Sequence, residues 1–315
     1  MTPDHQPPPA DRQPAFDRAV VFGAGAVGSY LGARLAAVLP VTLVGRREHV
    51  EAVKGRGLLV RGEADIFIPP GKLHAVTGLG ALAERALVLV TVKLANLAEA
   101  GAELGRLARP DTLFLLAQNG LFGRDLFLAH AGRELAVARA IASCGCDFRD
   151  AGMVDFWGGG LSFEPSERSA GLIALFTRAG VESAESPDFQ RALWKKLATN
   201  CVANPLTALL GVRNREIVTA ELAGLRRRVV EEVSRLAAAE GHPLPAEMPG
   251  RVDQSLSASR NRSSMLQDLE RGRPTEIEHL NGFVERRSKE LGLEAPANAA
   301  LAALVRARLA MPADR

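Results

Sequence analysis

The chain has 315 residues, 47% of them hydrophobic and 24% charged, with a formal net charge of +3. That length is too great for one compact core and suits two domains of an ordinary globular protein. The arginines are scattered instead of forming a stripe, which argues against a nucleic-acid partner. No apolar run approaches the ~18–20 residues of a membrane span.

Residues 1–17 carry Pro7-Pro8-Pro9 and no apolar stretch. They are therefore no secretory signal and read as a disordered extension. Cys144, Cys146 and Cys201 make an odd set with one close pair, which is no disulfide framework. No further Cys or His stands at zinc-ligand spacing, so no metal is expected. The three read as reduced thiols of a cytoplasmic protein.

Folding signals begin at Arg18. Ala19-Val20-Val21-Phe22 is an apolar run ending in glycines, residues 27–39 have helical periodicity, and Val41-Thr42-Leu43-Val44 is a second strand. That is a βαβ unit with short connections. Residues 87–92, 112–116 and 135–142 are continuous apolar runs, as expected of strands covered on both faces. Helical segments between them, such as 96–107, complete a parallel, doubly wound pattern. Residues 153–163 read as a hairpin around Gly158-Gly159-Gly160, and 169–179 as one more helix.

From Ser186 the signal is almost wholly helical, over 189–204, 216–240, 251–269, 275–291 and 296–309, with breakers at Gly241-His242-Pro243 and Gly272-Arg273-Pro274. The fold class is therefore α/β. A Rossmann-type doubly wound parallel sheet occupies 18–186, and an all-helical domain occupies 187–315.

Gly23-Ala24-Gly25-Ala26-Val27-Gly28 follows the first strand and opens the first helix. In that setting GxGxxG is a dinucleotide fingerprint: a tight turn, a close backbone approach to pyrophosphate, and close helix–strand packing. The helix N-terminus offers free N–H groups to the phosphates. The second strand ends Val44-Gly45-Arg46-Arg47, with no carboxylate to grip a ribose 2′-hydroxyl. Two guanidiniums stand there instead, Arg46 the better placed, and suit a 2′-phosphate. The expected cofactor is NADPH.

Lys196, Asn200 and Asn204 recur at i, i+4 and i+8, in one narrow stripe on a helix whose other faces are largely apolar. A buried cation and two buried amides need partners. They either line a polar cleft or pair between helices. Asn261 and Ser264 could share a helix face at i, i+3, and Thr275 with Glu278 fits a capping box. Glu276 is then either an acid favoured by the helix dipole or a ligand contact.

With these residues the sequence resembles the ketopantoate reductase (2-dehydropantoate 2-reductase) family, over essentially the whole chain from Arg18. The matching elements are the Gly23–Gly28 fingerprint, Thr91-Val92-Lys93, Gln118-Asn119-Gly120, residues 196–207, and Asn261 through Asp268 followed by Thr275-Glu276-Ile277. The resemblance implies that Lys196 is the proton donor and that Asn119, Asn200, Asn204, Asn214, Asn261 and Ser264 contact substrate. It implies cofactor contacts from the fingerprint, Arg46, Lys93, Asn119 and Glu276. Asn96 stands where the family has Gln, and no role is carried over onto 140–145.

The implied reaction is NADPH-dependent reduction of ketopantoate to pantoate, a step toward pantothenate and coenzyme A. The implied partner is a small 2-oxo acid, and a homodimer is left open. Two alternatives stand beside it: a reductase of another 2-oxo or 3-hydroxy acid, and a non-catalytic NADPH-binding regulator.

Overall fold

The computed structural model describes residues 16–118 and 120–311. β1 (Arg18–Phe22), α1 (Ala26–Leu35) and β2 (Val41–Val44) open the fold as the sequence predicts, with α1 ending short of the expected residue 39, and α2 (Arg47–Arg56), which was not expected, comes next. β3 (Leu58–Gly62), β4 (Ile66–Ile68), β5 (His74–Val76), β6 (Ala86–Val90), α3 (Leu97–Leu107), β7 (Leu113–Leu116), α4 (Gly123–Ala131) and β8 (Ala136–Ala142) follow. β9 (Cys146–Asp150), β10 (Met153–Phe156), β11 (Leu161–Phe163), α5 (Ser169–Arg178) and β12 (Ser183–Glu185) complete this half.

The large sheet has the order β12-β11-β8-β7-β6-β1-β2-β5, parallel from β8 to β5. Its central strands β6 and β7 are apolar and buried throughout, because helices cover both sides. Alternate residues divide two cores. Val20, Val88, Phe114 and Leu116 pack against Leu97 and Leu104 of α3 and Phe127 of α4. Val21, Leu89 and Leu115 share the opposite core with Leu31 and Leu35 of α1 and Phe176 of α5. Phe16 packs on that core and the Asp17 N–H donates to Arg85 O at 3.1 Å, so both belong to the sheet half and not to the expected extension. Residues 1–15 lie outside the described residues.

A second, four-stranded sheet, β4-β3-β10-β9, was not expected. It removes the expected hairpin over 153–163. β10 turns back on β9 and pairs in parallel with β3, while β11 pairs with β8 in the large sheet. The three glycines carry the chain between sheets, and Gly159 takes φ of 92° where a Cβ would strike the Ser143 backbone.

The second half consists of α6 (Phe189–Leu210), α7 (Ala220–Ala239), α8 (Met248–Ala258), α9 (Ser264–Glu270), α10 (Asn281–Glu290) and α11 (Pro296–Ala310). Among the described residues no helix is long and apolar enough to cross a membrane. α6 is the central helix. Trp194, Leu197, Ala198, Cys201 and Val202 pack with Val229 and Val233 of α7, Val284 of α10 and Leu301 of α11.

The sequence ends α6 before Pro205, yet the helix runs on to Leu210. A proline removes the N–H that would bond the carbonyl four residues back. Here that carbonyl, Cys201 O, accepts instead from Asn281 Nδ2 at 2.9 Å. The same amide donates to Asn298 Oδ1 at 2.9 Å, and Asn298 Nδ2 donates to the Glu232 carboxylate at 2.7 Å. Asn281→Ala removes the amide without adding bulk and strands both acceptors, so a loss of about 2–3 kcal/mol is expected in denaturant unfolding. An unchanged unfolding midpoint would refute this role for the amide.

Two other expected helices are divided. The segment 251–269 breaks after Ala258, because Ser263 caps α9: its Oγ accepts from Leu266 N–H at 3.0 Å and from Thr207 Oγ1 at 2.6 Å. The segment 275–291 becomes a 3-10 turn over Ile277–His279, a break at Leu280, and α10. No Thr275–Glu278 capping box forms, since Glu278 is engaged by Arg306 Nε at 2.6 Å and by Arg286 Nη1 at 3.1 Å.

Candidate active site

The Gly23–Gly28 turn lies at the carboxyl end of β1, where a doubly wound sheet binds its ligand. Gly23 has φ of 108°, and a Cβ there would sit 2.7 Å from Val92 N. Thr91 Oγ1 donates to Gly23 O at 2.8 Å and the Ala24 N–H to Val44 O at 2.8 Å, tying the turn to β6 and β2. At Gly28 a Cβ would lie 2.5 Å from Gly23 O and 2.6 Å from Thr91 Oγ1. Gly25 differs: a Cβ there would meet nothing nearer than Gly23 O at 4.0 Å. The protein's own packing does not require glycine at 25. That free space, at the N-terminus of a ten-residue helix without a side-chain cap, fits a pyrophosphate.

Arg46 stands exposed at the N-cap of α2, directly beyond β2, with no carboxylate at the strand end. Arg273, read from the sequence only as part of a breaker, approaches it from the helical half. Burial, followed by the charges of Arg46 and Arg271, lowers the Arg273 pKa from its ordinary value. Sequence proximity could not reveal a pair separated by more than two hundred positions.

The expected cofactor residues Lys93 and Glu276 meet at the seam between the halves. Lys93 Nζ lies 2.6 Å from Asp268 Oδ1 and donates to Pro274 O at 3.1 Å. Glu276 Oε1 accepts from Leu94 N–H at 3.0 Å. Lys93 therefore closes on the helical half, a contact the sequence did not suggest. Asp268 is buried, and desolvation raises its pKa against the lowering effect of Lys93.

Lys196, Asn200 and Asn204 all lie on α6, as expected. Lys196 reaches across the seam and donates to Ala142 O at the end of β8, at 2.5 Å. Burial pushes its ammonium down to about 8, opposed by nearby negative charge such as Glu276. Cys144 beside it is a neutral thiol at ordinary pH, since burial pushes it up to about 12. Asn204 is buried and Asn200 half-buried, and neither side-chain amide has a hydrogen-bond partner among the described residues. The reading that the stripe pairs internally between helices thus finds no contact to support it.

Asn214 and Asn261 come together: the Asn214 N–H donates to Asn261 O at 3.0 Å. Each leaves a buried side-chain Oδ1 without a partner, as do Gln118 Oε1 at the end of β7 and Thr275 Oγ1 beside Glu276. Asn261 and Ser264 do not share a helix face, because Asn261 precedes the Ser263 cap; Ser264 is exposed at the start of α9. Asn119 lies outside the described residues. Unpaired buried acceptors thus lie on both halves, Gln118 on one and Asn214, Asn261 and Thr275 on the other, and fit a polar ligand held between them.

Comparison with known proteins agrees with this architecture. Residues 19–162 match the family model for ketopantoate reductase PanE/ApbA, and residues 188–309 match the one for its C-terminal domain. The 2-dehydropantoate 2-reductase of Pyrococcus horikoshii is 32% identical over 91% of this chain and 96% of its own. That of Halobacterium salinarum is 32% identical over 92% and 98%. A solved PanE/ApbA family ketopantoate reductase from Ralstonia eutropha superposes with a TM-score of 0.84 at 34% identity, covering 93% of this chain and 98% of that one. A D-mandelate dehydrogenase structure with NADH and anilino(oxo)acetate also reaches 0.84, but at 24% identity it shows the fold alone. The chain is thus an oxidoreductase belonging to the ketopantoate reductase family.

Proposed function

We propose that the protein reduces ketopantoate to pantoate with NADPH, using Lys196 as general acid. The observation that carries this reading is the Lys196 ammonium itself. It is fixed against Ala142 O at 2.5 Å, across the seam between the halves, with a pKa lowered to about 8, on the helix that also carries Asn200 and Asn204. A general acid works best when its pKa lies near the operating pH.

The Gly23–Gly28 turn would hold the pyrophosphate, Arg46 and Arg273 the 2′-phosphate, and Glu276 and Lys93 the nicotinamide end, with Asn119 beside it. When bound, NADPH supplies the hydride for the C2 carbonyl of the substrate. Lys196 stabilises the charge that grows on the carbonyl oxygen and then gives that oxygen its proton. The amides of Asn200, Asn204, Asn214 and Asn261 orient the substrate hydroxyl, and Ser264 takes the carboxylate. The contacts from Lys93 and Lys196 across the seam hold the two halves together around the site.

The test is NADPH oxidation with a panel of 2-oxo acids. The highest kcat/KM is expected for ketopantoate, because unpaired amides reward a substrate hydroxyl and penalise its absence. A 2-oxo acid without that hydroxyl proving the better substrate would overturn the substrate assignment. NADPH binding with no turnover on any acid would favour a regulator.

A further inference from the structure

Gly145 lies buried between β8 and β9, locked to the neighbouring chain on both sides: its N–H donates to Gly158 O at 2.9 Å, and its carbonyl accepts from Trp157 N–H at 2.8 Å. Its φ is outside the left-handed region, so its backbone conformation is open to any residue. What requires glycine is the Asn261 side chain from the other half of the molecule. A Cβ at 145 would lie 2.5 Å from Asn261 Oδ1, 2.6 Å from its Cγ, and nearer still to Nδ2. By contrast the Asn261 backbone is fixed, since its carbonyl accepts from the Asn214 N–H at 3.0 Å.

Three residues upstream, Ala142 O holds the Lys196 ammonium at 2.5 Å. One short stretch of Rossmann-domain backbone therefore places both the cation and the amide. We propose that Gly145 is a positioning residue for substrate, setting by its missing side chain how deeply the Asn261 amide enters the crevice beside Lys196. This rests on the substrate-binding role given above to Asn261. An Asn side chain can swing aside from an added methyl, so Gly145→Ala costs the fold little while displacing the amide. A misplacement of about 1 Å in a bound polar group is enough to lower rates by up to about a hundredfold.

The test is a double-mutant cycle over Gly145→Ala and Asn261→Ala, read in kcat/KM for the 2-oxo acid, in NADPH affinity by fluorescence titration, and in thermal midpoint. Gly145→Ala is expected to lower kcat/KM about 10–100-fold, mostly through KM, with NADPH affinity unchanged. In the Asn261→Ala background, where the clashing atoms are gone, the added methyl is expected to cost nothing further. Should Gly145→Ala fail to fold, the double variant is expected to fold and to behave as Asn261→Ala alone. Wild-type kinetics in Gly145→Ala, a cost that adds in full to that of Asn261→Ala, or a double variant that also fails to fold each overturn the proposal. Wild-type kinetics in Asn261→Ala alone would remove that residue from the substrate site, and this inference with it, leaving the Lys196 reading untouched.

Discussion

Lys196→Met is expected to slow the reduction by ~10²–10⁴-fold, the usual contribution of a positioned acid. The substitution keeps a long apolar stem on a helix whose surroundings are apolar, so the fold survives. Cofactor affinity should survive too, because the glycine turn and Arg46 are remote from α6. Lys195 is the internal control, since it lies about 100° around the helix and its replacement by Met should cost little.

The pH profile supplies a second readout. Burial holds the Lys196 cation's pKa at about 8, below the ordinary 10.5. The proton is therefore present below about 8 and lost above it, so kcat/KM for reduction should be flat at neutral pH and fall above 8. Oxidation of the hydroxy acid needs the neutral amine and should rise through the same range. Stability follows the opposite sense from a salt-bridged lysine. The buried cation is a penalty fully present below about pH 8 and relieved as pH climbs toward 10.5, where the unfolded lysine also loses its proton. Lys196→Met should thus melt above the wild type at pH 7. Near-normal turnover in Lys196→Met at saturating cofactor and acid, or greater damage from Lys195→Met, would remove Lys196 from the mechanism.

Arg46→Ala is expected to weaken NADPH binding roughly 10–100-fold, as for one charge-assisted hydrogen bond, and to leave NADH nearly unchanged. Arg273→Ala should act in the same direction, for its guanidinium shares the field of Arg46. Calorimetry with adenosine 2′,5′-bisphosphate against adenosine 5′-monophosphate isolates the phosphate in question, without turnover. Both losses should shrink as salt rises. Equal losses for NADPH and NADH in the Arg46 variant would contradict the expected cofactor preference.

The elements legible in the sequence were those with a strong local period. β1, the glycine turn, α1 and β2 form one contiguous signal, and β6, with every residue buried, reads as an apolar run. The stripe of Lys196, Asn200 and Asn204 was visible because a helix repeats every 3.6 residues. The second sheet was not, since β3 ends Arg61-Gly62, β9 ends Arg149-Asp150, and their connection through β10 joins segments about ninety residues apart. Such pairing has no local signature. The break at Ser259–Ser263 could have been found, because Ser263 is a good N-cap followed by an apolar run. The contacts that assemble the site, Lys196 to Ala142, Lys93 to Asp268 and Asn261 against Gly145, depend on two halves meeting and leave no trace in spacing.

The link between Asn281 and Cys201 O imposes an order on substitution. Exchanging Pro205 for Ala returns an N–H to that carbonyl, which has two lone pairs and can keep both donors. Afterwards Asn281 is freer to vary, held by Asn298 alone. The reverse order is the costlier, because losing the amide first leaves a buried acceptor bare beside a proline that cannot serve it. A redesign of this helix therefore loses least stability by moving Pro205 first and Asn281 second.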